Sequence, residues 1–268
     1  TVNPVDALLT QMSNAVCFDL EHPRYLGAPT FDAHKPGFFY SLHRRHEDVD
    51  ERTSASGVIV MAEHSGTHID ALCHQAYGME MFGGVKVTPD NQTFRGFTEL
   101  AIDGVEPVIT RGVLLDLPGG GSALEEGTVV SDTDLAAAAE RQGTAIRPGD
   151  TVLIRTGNAL RWQHPESYER GPGIGSSAAQ WLADTGVHSV GADNVALDVV
   201  GHKDDELGHL PAHTILTVRN GIFIIENLNL EALAAENAHE FVFVCLPLKM
   251  RGATGSPVRP IALVPRVD

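Results

Sequence analysis

Three histidines and one aspartate, His64, His68, Asp70 and His74, crowd into the stretch EHSGTHIDALCH at residues 63–74. What precedes them restricts how the chain can fold. The run SGVIVMA is apolar and β-branched and reads as a buried strand from Ser56 to Ala62, so the histidines are expected to begin inside the protein. On a straight strand all four residues would share one face, but at about 3.3 Å per residue the outermost pair would lie roughly 33 Å apart. No single ion spans that. On a helix His64 and His68 would stack one turn apart while Asp70 faced elsewhere, and Gly66 and Thr67 are weak helix formers. The remaining solution is a turn at Ser65-Gly66-Thr67 that folds His64 back beside His68, with His68 and Asp70 projecting from one side of an extended segment. Gly66 makes that turn at little steric cost.

Two imidazoles and a carboxylate suit a borderline divalent ion such as zinc, manganese, cobalt or iron(II) and leave coordination positions for water and substrate. A lone histidine is most often a satisfied core or surface residue. Four potential ligands directly after an apolar strand argue instead for metal at His64, His68 and Asp70.

The rest of the chain bounds the setting. Its 268 residues carry 19 basic against 35 acidic side chains, a net charge of −16, and so acidic a surface does not suit nucleic acid or anionic membranes, which are held by Lys and Arg. Cys17, Cys73 and Cys245 are odd in number, far apart and without CxxC spacing, which fits a reducing compartment better than a disulfide framework. No run approaches the ~20 apolar residues of a membrane span, and the N-terminal TVNPVDALLTQ lacks the pattern of a signal peptide. The expected location is the cytoplasm. Short runs such as AVCFDL, GVLLDL, TVLIRTG, VHSVGAD, GIFIIE, EFVFVCLPL and IALV read as strands. SDTDLAAAAERQG, SSAAQWLADTG (Ser177 and Gln180 at capping-box spacing) and LNLEALAAE read as helices. With no repeat or long linker, residues 1–268 are expected to form one mixed α/β domain. PGGGS and ERGPGIGSS read as surface loops, and Gly171, Gly173 and Gly175 do not make a dinucleotide fingerprint.

The pattern His-x-Gly-Thr-His-x-Asp-x-x-x-His, carried by His64, Gly66, Thr67, His68, Asp70 and His74, resembles the signature of the cyclase-like metal-dependent hydrolases, a family that includes bacterial kynurenine formamidases and isatin hydrolases. FDLEHPRYLGAPTF, GADN, RNGIFIIENL and GATGSPVRPIAL resemble further segments of that family. The resemblance implies a swivelling β/β/α fold, a homodimer or homotetramer, zinc or manganese, and hydrolysis of the C–N bond of a small-molecule amide. It makes His64, His68 and Asp70 ligands and His74 the proton carrier, a role imidazole chemistry suits because histidine titrates near neutrality. In the family's binuclear members His213 and Glu226 would complete a second site with Asp70 as bridge. The expectation here is one tightly held ion and a second, weaker position. Kynurenine formamidases usually carry Ala-Pro after the aspartate, whereas Ala71 is followed by Leu72 and Cys73, so a cyclic, isatin-like amide and an aryl formamide stand equally open. Lactone or ester ring opening is the alternative among enzymes, and a metal-stabilised binding protein the alternative outside them.

Other residues are weaker candidates. His202 and His209 read as solvated, as do Arg44 and Arg45, although an arginine could clamp a substrate carboxylate. Cys73 beside His74 does not read as a nucleophile pair, since adjacent side chains on a strand point apart. Asp193 and Asn194 either line the pocket or build a turn.

Overall fold

The alternating apolar runs become a nine-stranded mixed sheet in the computed structural model, which describes residues 3–47 and 51–266. In chain order the strands used below are β1 (Ala15–Asp19), β2 (Phe38–Arg44), β3 (Ser56–Met61), β4 (His68–Asp70), β5 (Val108–Asp116), β6 (Thr151–Arg155), β7 (Ser189–Ala192), β8 (Phe223–Glu226), β9 (Glu240–Cys245), β10 (Gly255–Pro257) and β11 (Ile261–Pro265). The large sheet runs β1-β11-β9-β5-β6-β7-β8-β4-β10. Strands β5 to β8 are parallel to one another, and every other pairing in the sheet is antiparallel.

Parallel strands need crossovers, and helices α2 (Asp132–Gln142) and α3 (Ser176–Thr185) supply two of them; α1 (Pro4–Ser13) and α4 (Glu231–Ala235) lie outside the parallel core. Alternation along β5 shows how both faces are used. Val113 and Leu115 pack with Leu135 and Ala138 of α2 and Ala178 and Leu182 of α3, whereas Leu114 joins Leu153, Ile225, Leu228 and Phe243 on the opposite side. Burial on both faces explains why GVLLDL reads as a continuous apolar run. Helix α2 begins with a capping box between Ser131 and Asp134 and ends on Gly143 in the left-handed conformation, as its sequence predicts.

Three expectations need correction. SGVIVM does form a strand, but β3 is not buried. Among the described residues it pairs only with β2, as a hairpin outside the large sheet, and Phe39, Ile59 and Val60 are 45%, 57% and 59% exposed. β-Branched residues favour the extended backbone wherever it lies, so the run reveals the strand and not what covers it. Helix α3 carries no capping box; Gly175 is its N-cap, and the Ser177 hydroxyl accepts from the Asp132 amide instead. Gly171 to Gly175 is buried rather than a surface loop, because Gly173 and Ile174 pair with Val129 and Val130. A Cβ on Gly173 would meet the Asp198 carbonyl carbon at 2.5 Å.

Candidate metal centre

The centre starts from the turn. Gly66 has φ +60°, and a Cβ there would sit 2.7 Å from the Arg24 guanidinium. That guanidinium donates to the carbonyls of Ser65 and Thr67 and holds Glu21 at 2.7 Å. From the other side Asn227 donates through Nδ2 to the Gly66 carbonyl at 3.1 Å, and Thr67 Oγ1 donates to the Asn227 carbonyl at 2.6 Å. So strapped, the turn returns His64 to His68, and β4 places His68 and Asp70 on one side. Antiparallel pairing with β8 sets His68 directly opposite Glu226, a register in which side chains meet.

All six residues singled out in the sequence meet. His64 Nδ1 lies 2.7 Å from Asp70 Oδ1. His68 Nε2 lies 3.5 Å from the same oxygen and 3.3 Å from Glu226 Oε2. His213 Nε2 faces the two remaining oxygens, Asp70 Oδ2 at 3.5 Å and Glu226 Oε1 at 3.3 Å, without the alignment of a hydrogen bond. His74 Nε2 is 3.9 Å from Asp70 Oδ2. Asp70 Oδ2 and Glu226 Oε1 are buried and have no hydrogen-bond partner among the described residues. Two unpartnered carboxylate oxygens at one buried spot are costly unless a cation lies there.

The far nitrogens distinguish the histidines. His68 Nδ1 donates to the Gly66 carbonyl at 2.8 Å. His64 Nε2 lies 2.8 Å from Thr254 Oγ1, whose hydroxyl is itself given to Glu63, so the ring is the donor there, while Nδ1 is within hydrogen-bond distance of Asp70 Oδ1 at 2.7 Å. His74 has no ring hydrogen bond of this kind among the described residues, and its side chain is 15% exposed against 4% or less for the other three.

Charge follows geometry. Burial alone would raise Asp70, but the imidazoles of His74, His64 and His213 hold it well below the usual carboxylate range. Glu226 is lowered too, burial being outweighed by His213 and His68. His68 is raised despite burial, chiefly by Glu226. His74 is pushed down to about 3 by burial, which keeps its ring neutral.

A cleft of about 550 Å³ opens onto this cluster, lined among others by His34, Met61, Glu63, His64, His74 and Thr254. His34, Glu63 and Thr254 escape sequence reasoning. The His34 ring stacks on His64 at 4.7 Å and lies 5.8 Å from His74, and donor atoms of the three rings fall within 4.8 Å of one another. The loop before β2 brings it there, and no local pattern announces it.

The remaining candidates lie outside the cluster. Cys73 is buried and its thiol is pushed up to about 12 by burial, which removes the thiolate a nucleophile needs. Asp193 accepts from Thr156 and Gly157, and Asn194 donates to the carbonyls of Pro172 and Leu197, so both build turns. Arg44 and Arg45 are exposed on the hairpin, and His202 and His209 join none of the donor clusters among the described residues. No helix among the described residues is long and apolar enough to cross a membrane.

The mixed sheet that carries this buried His/Asp/Glu cradle is a fold that known proteins share. The model of the Cyclase family matches residues 18–199, and the chain belongs to that family. It is 27% identical over 233 residues to an isatin hydrolase of Roseibium aggregatum, covering 84% of this chain and 81% of that one. It is 25% identical over 246 residues to a kynurenine formamidase of Bordetella petrii, covering 91% and 96%. A crystal structure of a novel cyclase superposes with a TM-score of 0.83 at 29% identity, covering 98% of this chain and 92% of that one.

Proposed function

We propose that this chain is a metal-dependent hydrolase that cleaves the C–N bond of a small amide, either a cyclic amide of the isatin type or an aryl formamide. The observation that carries the reading is the pair of unpartnered buried oxygens, Asp70 Oδ2 and Glu226 Oε1, facing His213 Nε2. The relatedness to an isatin hydrolase and a kynurenine formamidase supports it.

His64 Nδ1, His68 Nε2 and Asp70 Oδ1 would hold one divalent cation, zinc or manganese. Asp70 Oδ2, Glu226 Oε1 and His213 Nε2 would hold a second. The first would be the tighter, because its donors come from one strapped turn and the strand that follows it, whereas those of the second come from three separate segments. A bound ion of this kind polarises a carbonyl and acidifies a water molecule. The chain's own residues supply the rest. His74 sits beside Asp70 and faces the cleft, placed to take a proton from the attacking water and return it to the departing nitrogen. Burial of the ligand imidazoles keeps competing water from their ring nitrogens.

The open cleft argues against a closed structural metal site, which normally has four protein ligands. Ester or lactone opening would use the same groups, and only substrate selection separates the two. We further propose that the chain is a homodimer or homotetramer, supported by the apolar hairpin β2–β3 exposed on both faces, and that it works in the cytoplasm, where its free cysteines stay reduced.

The test is to strip the protein of metal, reload it with zinc or manganese, and assay it against isatins, formylated anilines, imides and lactones. Activity restored by the ion on amides is the expected result. Full activity in protein shown metal-free by elemental analysis would sink the reading.

A further inference from the structure

We propose that Asp198 is the positioning residue of this centre: one buried carboxylate fixes both the backbone and the ring tautomer of His213, and so turns Nε2 toward Asp70 and Glu226. This rests on the reading of a second cation position above. Asp198 is 2% exposed. Its Oδ1 accepts from the Ala212 amide at 2.8 Å, and its Oδ2 accepts from the His213 amide at 3.2 Å and from His213 Nδ1 at 2.8 Å.

The local chain explains why these bonds fall to one residue. Leu210 has φ +52°, Pro211 follows, and the segment then winds through Pro211–His213 into a π-helix over Thr214–Arg219. The first amides of a helical segment have no partner within it, and proline has no N–H to satisfy. Ala212 and His213 are therefore the first residues that need an external acceptor, and Asp198 serves both. The third bond uses the same carboxylate to claim the ring proton.

That third bond decides the chemistry. With the proton on Nδ1, Nε2 presents a lone pair to the spot bordered by Asp70 Oδ2 and Glu226 Oε1. With the proton on Nε2, the ring would donate to Glu226 and Nδ1 would face Asp198 lone pair against lone pair. The other two ligand rings are fixed by neutral groups, the Gly66 carbonyl for His68 and the Thr254 hydroxyl for His64. Among the described residues, only His213 has its far nitrogen hydrogen-bonded directly to a carboxylate, Glu63 standing 3.8 Å from His64 Nε2 with the Thr254 hydroxyl between them, and a carboxylate behind an imidazole both locks its orientation and strengthens it as a donor. The carboxylate is itself held in place. Asn194 Nδ2 donates to the Asp198 carbonyl at 3.3 Å, and Gly173 packs so closely on the same peptide that a Cβ there would lie 2.5 Å from the Asp198 carbonyl carbon. The buried glycine stretch and the GADN turn thus act on the centre through Asp198.

Two variants separate ring from backbone. Asp198→Asn keeps a neutral acceptor, and Asp198→Ser keeps a short helix cap while withdrawing the carboxylate from the ring. Each is compared with wild type by ¹⁵N spectra of the histidine rings at alkaline pH and by calorimetric titration with zinc. The expected spectrum of wild type has His213 protonated on Nδ1, and both variants shift it toward Nε2. Zinc affinity at the weaker position should fall on the order of 10- to 100-fold, with the tighter position unchanged. In a His213→Ala background the same substitutions should leave zinc binding where that variant puts it. A His213 tautomer indifferent to both substitutions would overturn the proposal, as would an equal loss of zinc affinity with and without His213. If wild type takes up a single zinc, the two-cation reading fails, and the ring spectra still decide for or against Asp198.

Discussion

Residues 38–61 and residues 63–74 are neighbours in the chain, yet each inverts the usual relation between polarity and burial. The hairpin β2–β3 carries Phe39, Tyr40, Val58, Ile59 and Val60 into solvent, while His64, His68 and Asp70 are almost wholly enclosed. An apolar arm outside and a charged cradle inside are both unfavourable for an isolated chain. Each would become favourable with the partner proposed for it, a cation for the cradle and a second copy's surface for the arm. The difference between them is chemical. The cradle's donors converge within a few ångströms, as donors that could hold an ion must, whereas the arm offers only shape and apolar area.

The comparison breaks most completely at Asp70, whose two oxygens face both proposed cation positions. Asp70→Asn should reduce bound zinc below one per chain and hydrolysis to background, read by elemental analysis and by assay on the same sample. A variant that keeps its full metal content would mean that Asp70 is not shared.

His74 separates ligand from proton carrier within the same cradle. His74→Ala should keep its metal and lose turnover by a factor on the order of 10²–10⁴. If the variant comes up empty of metal, His74 is a ligand and the proton must travel by another group.

How much of this contrast can be read from sequence depends on the range of the interactions. Ser131, Asp134 and Gly143 bound α2 by bonds to residues three or four places away, and the period-2 relation of His68 to Asp70 lies within one strand, so both are legible. The turn at Gly66 is legible too, because a left-handed residue is a local requirement. Burial of β3 is not, since its β-branched residues form a strand equally well in an arm or in a core. His213 and Glu226 enter through family resemblance; nothing local in LPAH or FIIE points at Asp70. Asp198, Thr254 and His34 reach the centre over long stretches of chain, and only the structure shows them there. Asp198 left one faint sign, the unanswered question of which acceptor serves the amides after Pro211.

Beneath the cradle, His22 sharpens the comparison by showing an imidazole buried without a carboxylate. It stacks on Trp162 at 4.1 Å, and its amide donates to Thr67 Oγ1. Burial lowers its pKa from 6.5 to about 4, opposite to the direction in His68 and His213, which carboxylates raise. Between these two pH values the unfolded chain holds the proton that the folded chain refuses. This contribution to stability is therefore complete above about pH 6.5 and declines as the pH falls toward 4, by roughly 3 kcal/mol in all. His22→Phe keeps the stack and removes the titration. Urea denaturation of both proteins across this window should show the variant losing less stability on acidification, and parallel curves would refute the assignment.

The smallest effect on the chain itself is expected at the arm, where the consequence should appear in assembly instead. A two-stranded ribbon with both faces in water is marginal alone, and an exposed apolar surface of this kind marks an interaction site. Ile59 and Val60 point to opposite faces of β3, so Ile59→Asp and Val60→Asp each spoil one face without touching the core. As substitutions of exposed residues they should change the stability of the isolated chain by no more than about 0.5 kcal/mol. If a second copy covers the arm, wild type should sediment above the mass of one chain with a Tm that rises with protein concentration, and in the variants the mass should drop to that of one chain and the concentration dependence should vanish. Wild-type protein that sediments as a single chain at all concentrations, or variants that keep the wild-type mass, would leave the arm without the partner proposed for it.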